Sequence, residues 1–315
     1  MISLWIALTV NFIIPRLMPG NPISTLIASH RGRLSPEAVH AIEKAFGLSS
    51  GNILESYFSY LIELFRGNLG ISIRFFPTPI VDVIAYALPW TIFLVGTGLV
   101  ISFSLGVLLG MVLAWKRGSI TDSIATTFLI FLRSFPYFCI AIILLYYAGY
   151  KWSIVPLSHA YNLHLTPSFS SEFLLSVLYH AIAPLTVIIA STLGEWMLVM
   201  RNNMIVTLQE DFVELAKAKG LNERRIITSY AGRNAILPSM TSLAMYFGIV
   251  MGGSLLVEMV FSYPGIGMML YQAVIYLDYP LMQAIFLIIA FTVMIANFIV
   301  EIIYAKLDPR IGARQ

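Results

Sequence analysis

The chain has 315 residues, of which 58% are hydrophobic and only 11% charged. Ordinary globular domains carry about 25% charged residues, so there is too little charge here to cover a soluble surface, and disorder is excluded on the same ground. The net charge of +3 is too small to mark a nucleic-acid binder, and a single cysteine, Cys139, excludes an intrachain disulfide framework and any Cys-based metal cluster. The composition is that of an integral membrane protein with several spans.

A bilayer core about 30 Å thick needs roughly 20 apolar residues in a helix. In chain order, the first candidate is Ile2–Met18, which meets Pro15 and Arg16 near its end. It lacks the basic start and small-residue cleavage site of a signal peptide and reads as a first span over 1–18. Five longer stretches follow: Leu88–Trp115, Ser123–Gly149, Leu174–Met200, Ile236–Phe261 and Leu281–Ala305. The expectation is an all-α integral membrane protein with six transmembrane helices. Residues 19–87 form an outer segment, 88–305 the core with spans two to six, and 306–315 a tail.

Charge chooses the orientation. With both termini in the cytoplasm, the inner segments hold eleven of the nineteen Lys and Arg, from Lys116 and Arg117 to Arg310 and Arg314. The two short outer loops hold only Lys151. The positive-inside rule therefore places both ends inside a plasma or inner membrane; the first outer segment is too long to count.

That outer segment reads as a small helical cap. Ser35-Pro36-Glu37 has the form of a helix start, which would run from Pro36 to Phe46 and stop at Gly47. A second helix over Ile53–Phe65 is predicted from apolar Leu54, Tyr57, Phe58, Leu61 and Phe65.

The inner loop 207–238 is the most informative stretch. Thr207 and Glu210 have capping-box spacing. Glu210 and Asp211 would lie in the first turn of a helix, Lys217 and Lys219 in its last, as the helix dipole favours. Gly220 would end it in a left-handed conformation, and Asn222 would cap a second short helix over Glu223–Arg233. Leu208, Phe212, Leu215 and Ala216 would form one apolar stripe, and Ile226, Ile227 and Tyr230 another. Physics alone leaves two uses for such a bent pair: an amphipathic hairpin on anionic lipid, or a docking element whose small Ala216, Ala218 and Gly220 admit a partner.

The run from Asp211 through Glu214, Ala216, Ala218, Gly220 and Leu221 to Arg224 and Arg225, followed by Arg233-Asn-Ala-Ile-Leu-Pro238, resembles the EAA loop of ABC importer permeases. The resemblance is strongest to the dipeptide/oligopeptide/nickel branch (DppB/OppB-like) and covers nearly the whole chain. Arg16-Leu-Met-Pro-Gly-Asn-Pro22, Gly67-Asn-Leu-Gly70 with Ile71-Ser72, and Trp152 with Pro156 resemble family elements. So do Glu258 to Gly267 with Pro264 and Gly265, Asp278-Tyr-Pro280, and Leu307-Asp-Pro-Arg310. The start of the chain departs from the family pattern, with no basic residues before the first span.

The resemblance implies the type I importer fold and a coupling role for the EAA residues toward an ATPase. It also implies a homologous second permease, two ATPase subunits and an extracytoplasmic substrate-binding protein. The chain has no phosphate-binding Gly-x-x-x-x-Gly-Lys-Ser/Thr run. It should therefore hold no cofactor, with ATP and Mg bound by the ATPase subunits. Peptides are the expected cargo, with oligosaccharides or a nickel complex as the alternative. An embedded enzyme would need a catalytic pair inside the spans, and a stand-alone channel would not need so structured a loop.

Three ionisable residues fall at membrane depth: Arg133, Glu195 and Glu258. They read either as translocation-path or gate residues, or as helix-end snorkelling, partner contact and capping. Pro136, Pro184 and Pro264 can bend helices where a path opens. His159 and His164, in an outer loop without nearby carboxylates, are not read as metal ligands.

Overall fold

The computed structural model describes residues 2–20, 53–240, 242, 243, 246 and 254–307. The helix start at Ser35-Pro36 and the tail after 307 lie outside the described residues. Among those described, all regular elements are helices, with one isolated bridge between Ile71 and Pro79. Among the described residues three helices are long and apolar enough to cross a membrane, or four if one sharply bent pair is a single span. The chain divides into two compact units, 1–91 with 264–292 and 92–263 with 293–315.

In the first unit, α1 (Ile2–Arg16) is a 15-residue helix. At 1.5 Å per residue it is about 22 Å long, short of a full hydrocarbon core. It packs on α2 (Ile53–Phe65), whose bounds match the amphipathic pattern. Phe12 meets Tyr57 edge-on at 5.1 Å, and Thr9 Oγ1 lies 2.8 Å from the Tyr57 hydroxyl. Asn11 Nδ2 donates to the carbonyl of Gln283 at 2.7 Å. The chain then doubles back between Gly70 and Ile80 through Ser72 N–H to Thr78 O and Ile80 N–H to Gly70 O. It enters α3 (Ile80–Trp115), which begins eight residues before the apolar stretch at Leu88 and carries Asp82 in its first turn, where the helix dipole favours an acid. The unit closes with α11 (Ile266–Ile275) and the first part of α12 (Tyr279–Leu307).

The second unit is built on close packing of α3 against α6 (Ser171–Thr207). Gly98, Ser102, Gly106 and Gly110 recur every four residues, so they share one face of α3. A Cβ on Gly106 would come within 2.5 Å of Trp196 Cβ, and one on Gly110 within 2.7 Å of the Met197 carbonyl. The Ser102 and Thr192 hydroxyls bond at 2.6 Å across the same seam. Small residues are the means by which helices associate in lipid, where apolar burial gives no drive. The opposite face keeps Val100, Leu108 and Val112 exposed, as a lipid-facing surface should.

The stretch Ser123–Gly149, expected as one span, is broken. α4 (Ile120–Ser134) and α5 (Tyr137–Leu144, continued by a π-helical turn Leu145–Lys151) meet at 92°. Pro136 has no N–H to continue the ladder and forces Phe135 into an extended conformation (φ −80°, ψ 135°). Pro184, by contrast, is held inside a continuous α6. The elements α7 (Asp211–Ala218), α8 (Glu223–Arg225), a π-helical turn (Ile226–Ala231) and α9 (Gly232–Ala235) make the inner loop; α10 (Leu255–Val260) follows. The middle of the stretch expected as span five, between Ile236 and Phe261, lies outside the described residues.

Candidate functional site

The inner loop is folded down on its own unit. α6 runs on to Thr207, so Thr207 closes that helix and the capping box with Glu210 does not form. Glu210 is the N-cap of α7 by backbone conformation alone, without a side-chain bond. The acidic first turn expected from sequence is present, with Asp211 and Glu214, and Lys217 lies in the last turn.

The buried face of α7 differs from the expected stripe. Val213 and Ala216 point inward and join a core with Met111, Trp196, Met204 and Ile226. Phe212 and Leu215 are exposed. The 3.6-residue repeat allows either face, and the inward one is chosen by fit. Val213 and Ala216 are small enough to lie against α3 and α6, and Lys217 Nζ sits 5.8 Å from the Trp115 ring. The outward face then carries Asp211, Phe212, Glu214, Leu215 and Ala218.

Gly220 ends this helix as its position dictates. Its φ is +70°, Gly220 N–H bonds to Lys217 O, and Leu221 N–H reaches back to Ala216 O. This is the paired pattern of a Schellman stop. A Cβ on Gly220 would meet nothing within 4 Å, so only the backbone conformation demands glycine there. Asn222 caps the next turn, its side chain accepting from Arg224 N–H at 2.9 Å. Arg224 and Arg225 project into the open beside the bend, while Ile226 is buried.

The structure brings two of the membrane-depth residues together. Arg133 Nη2 lies 3.7 Å from Glu195 Oε2, and the Tyr246 hydroxyl donates to the same oxygen. Trp196 stacks edge-on against Tyr246 at 4.9 Å. Glu258 stands apart from this group, fully buried, with the Ser254 hydroxyl donating to it at 2.9 Å.

A second pair was not singled out by sequence. Arg201 Nε and Nη2 donate to Asp122 Oδ1 and Oδ2 at 2.8 and 2.7 Å. The only signal was an acid at the start of an apolar run and a base at the end of another.

The outer-loop signature residues Pro264, Gly265, Gly267, Asp278 and Pro280 all fall in the first unit, with separate partners. Pro264 precedes Gly265, which is the N-cap of α11; Gly265 has no side chain to cap it, and Thr91 Oγ1 accepts from Ile266 N–H at 2.8 Å. Gly267 is buried in the first turn. Asp278, fully buried ahead of Tyr279 and Pro280, accepts from the Ser72 hydroxyl at 2.5 Å, Arg74 N–H at 2.9 Å and Leu281 N–H at 3.1 Å. Ile73 N–H also bonds to it. Burial pushes this carboxyl above its ordinary range, and the donors around it pull it back down.

His159, His164 and His180 line an open cleft of about 500 Å³. Among the described residues, no group of three or more His, Cys, Asp or Glu is placed to hold a metal.

A family profile described as "Binding-protein-dependent transport system inner membrane component" matches residues 106–313. The chain is 30% identical to a di/tripeptide transport system permease protein of Pseudomonas aeruginosa, over 96% of this chain and 92% of that one. It is 28% identical to a dipeptide transport system permease protein of Lactococcus lactis, over 99% and 95%. A dipeptide transport system permease protein of Escherichia coli K12 is 27% identical, over 96% and 92%.

Proposed function

This chain belongs to the binding-protein-dependent transport system inner membrane component family, and on that premise we propose that it is the permease subunit of an ATP-driven importer of di- or oligopeptides. It crosses the membrane six times with both termini in the cytoplasm. With a homologous permease it forms the pathway, fed from outside by a substrate-binding protein and driven from inside by two ATPase subunits. Those subunits bind the ATP and Mg.

The observation that carries this reading is the inner loop. Val213, Ala216 and Ile226 fix it to the core of the second unit, and Gly220 bends it. Asp211, Phe212, Glu214, Leu215, Ala218, Arg224 and Arg225 are left outward. A lipid-surface hairpin would put its apolar face out; here most of that outward face is charged or small. ATPase closure would therefore press on a rigid knob continuous with α6. Energy enters because this knob binds the ATPase differently in two states. Arg133, Glu195 and Glu258 belong to the path and its gates.

The test is co-expression with the ATPase subunits, second permease and binding protein, then uptake into proteoliposomes. Labelled dipeptides and tripeptides should accumulate with ATP, and an oligosaccharide or nickel complex should not. The isolated chain should hydrolyse no ATP. Uptake without ATPase subunits, or uptake of the sugar or metal complex in place of peptide, would sink the assignment.

A further inference from the structure

The α4–α6 interface carries two ion pairs of opposite polarity, and they are built differently. Asp122 of α4 and Arg201 of α6 form the tight one: two hydrogen bonds, with side chains 4% and 17% exposed. Gly118 N–H and Thr126 Oγ1 also bond to Asp122. About 16 Å further along α4, at 1.5 Å per residue, Arg133 faces Glu195. Here the separation is 3.7 Å, too long for a hydrogen bond. The side chains are 47% and 24% exposed. Among the described residues the Arg133 guanidinium makes no hydrogen bond, whereas Glu195 is held by the Tyr246 hydroxyl.

A guanidinium has five N–H donors in a fixed fork. Leaving them unmet against hydrocarbon is costly, so such a residue faces a partner or a water-filled cavity. The chain gives a second, independent sign of a cavity. Arg133 sits one turn before the 92° break, where Phe135 and Pro136 leave the helical ladder and are exposed. Irregular backbone at membrane depth is tolerated where it is buried in protein or lines an aqueous cavity. In secondary transporters, breaks of this kind place substrate-binding groups.

From this geometry we propose that Arg133 is a substrate-binding residue that takes the carboxylate terminus of the translocated peptide, displacing the loosely held Glu195. The inference rests on the peptide-importer reading and adds which end of the peptide is recognised inside the membrane. A carboxylate matches the fork bidentately. Exchange is easy, because the incoming carboxylate breaks no hydrogen bond of Arg133 and Glu195 keeps Tyr246. The Asp122–Arg201 pair, with its bonds made and its charges buried, offers no such opening.

The test compares uptake of one labelled tripeptide as free acid and as C-terminal amide. The assembled transporter is reconstituted in proteoliposomes, with each form presented at saturating binding protein. Arg133→Gln should lower the acid-to-amide uptake ratio about tenfold relative to wild type, the size of one charge-assisted hydrogen bond. Glu195→Gln, which removes the competing carboxylate and keeps an acceptor for Tyr246, should raise that ratio. An unchanged ratio in Arg133→Gln overturns the proposal. So does an equal loss for both forms, which would assign Arg133 to contact with the second permease chain. If the Arg133→Gln complex does not assemble, Glu195→Gln decides: a raised ratio supports the proposal and an unchanged one overturns it. Wild-type transporter that imports neither form would sink the peptide-importer reading itself, a result distinct from an unchanged ratio.

Discussion

Arg201 grips Asp122 through two parallel hydrogen bonds, 2.8 and 2.7 Å, joining the C-terminal part of α6 to the first turn of α4. Both side chains are withdrawn from the surface. The pair sits beside the helix that leads directly into the inner loop, so it fixes the base on which that loop stands.

Removing one partner leaves the other buried and unpaired, at a cost of about 3–5 kcal/mol. Asp122→Ala should therefore lower the thermal unfolding midpoint of the detergent-purified chain sharply. The double variant Asp122→Leu/Arg201→Met, which removes both charges and keeps volume, should recover most of the loss. Equal midpoints for wild type and Asp122→Ala would show that the pair contributes nothing.

Asp278 is surrounded by donors, three of them backbone N–H groups. An asparagine there must turn its NH₂ toward at least one N–H, whichever way it flips, since Arg74 and Leu281 donate to different oxygens. Asp278→Asn should cost about 1–3 kcal/mol, the penalty of an unmet buried donor. Ser72→Ala should cost less, because the carboxylate keeps its backbone donors. Limited proteolysis between Gly67 and Ile80 would report the difference; equal cleavage of Asp278→Asn and wild type would refute it.

How much of this was legible in the sequence depends on the range over which each feature is decided. The bounds of α2, the stop at Gly220 and the cap at Asn222 are set by residues within a turn or two of one another, and they could be read. The face of α7 could not, because Phe212 and Val213 are both apolar and the choice is made by the space between α3 and α6. The break at Pro136 was hidden by apolar residues on both sides, which kept the hydropathy of one span. Asp122 and Arg201 are 79 positions apart. Each looked like an ordinary flanking charge until the helices were brought together. The contact of Ser72 with Asp278 is likewise long-range, although both residues lay in stretches that the sequence had already marked.

The glycines of α3 are required by closeness rather than by backbone conformation. A Cβ at position 110 would press on the Met197 carbonyl at 2.7 Å, on Met200 Cβ at 2.8 Å and on Arg201 N at 2.9 Å. Backbone cannot move aside as a flexible side chain can. Gly110→Ala should force α3 away from α6 and reduce the yield of monodisperse protein in gel filtration, although alanine favours helix by about 1 kcal/mol. A variant more stable than wild type would mean that propensity outweighs the contact.

Gly220 is the opposite case and separates folding from coupling. A Cβ there meets nothing within 4 Å, so a substitution acts chiefly through its φ of +70°. A β-branched residue must either accept strain of about 1–2 kcal/mol or unwind the stop. The burial of Val213, Ala216 and Ile226 should keep the loop on the core in either event. Gly220→Val should thus purify as a folded membrane protein with an unfolding midpoint near wild type. The bend that presents Ala218, Arg224 and Arg225 would be altered. Under the proposed function, assembly with the ATPase subunits or the coupling of ATP hydrolysis to uptake should fall, and Gly220→Ala should be milder. Normal subunit stoichiometry and normal uptake in Gly220→Val would show that this bend does not carry the coupling, and would favour a loop that merely rests on lipid.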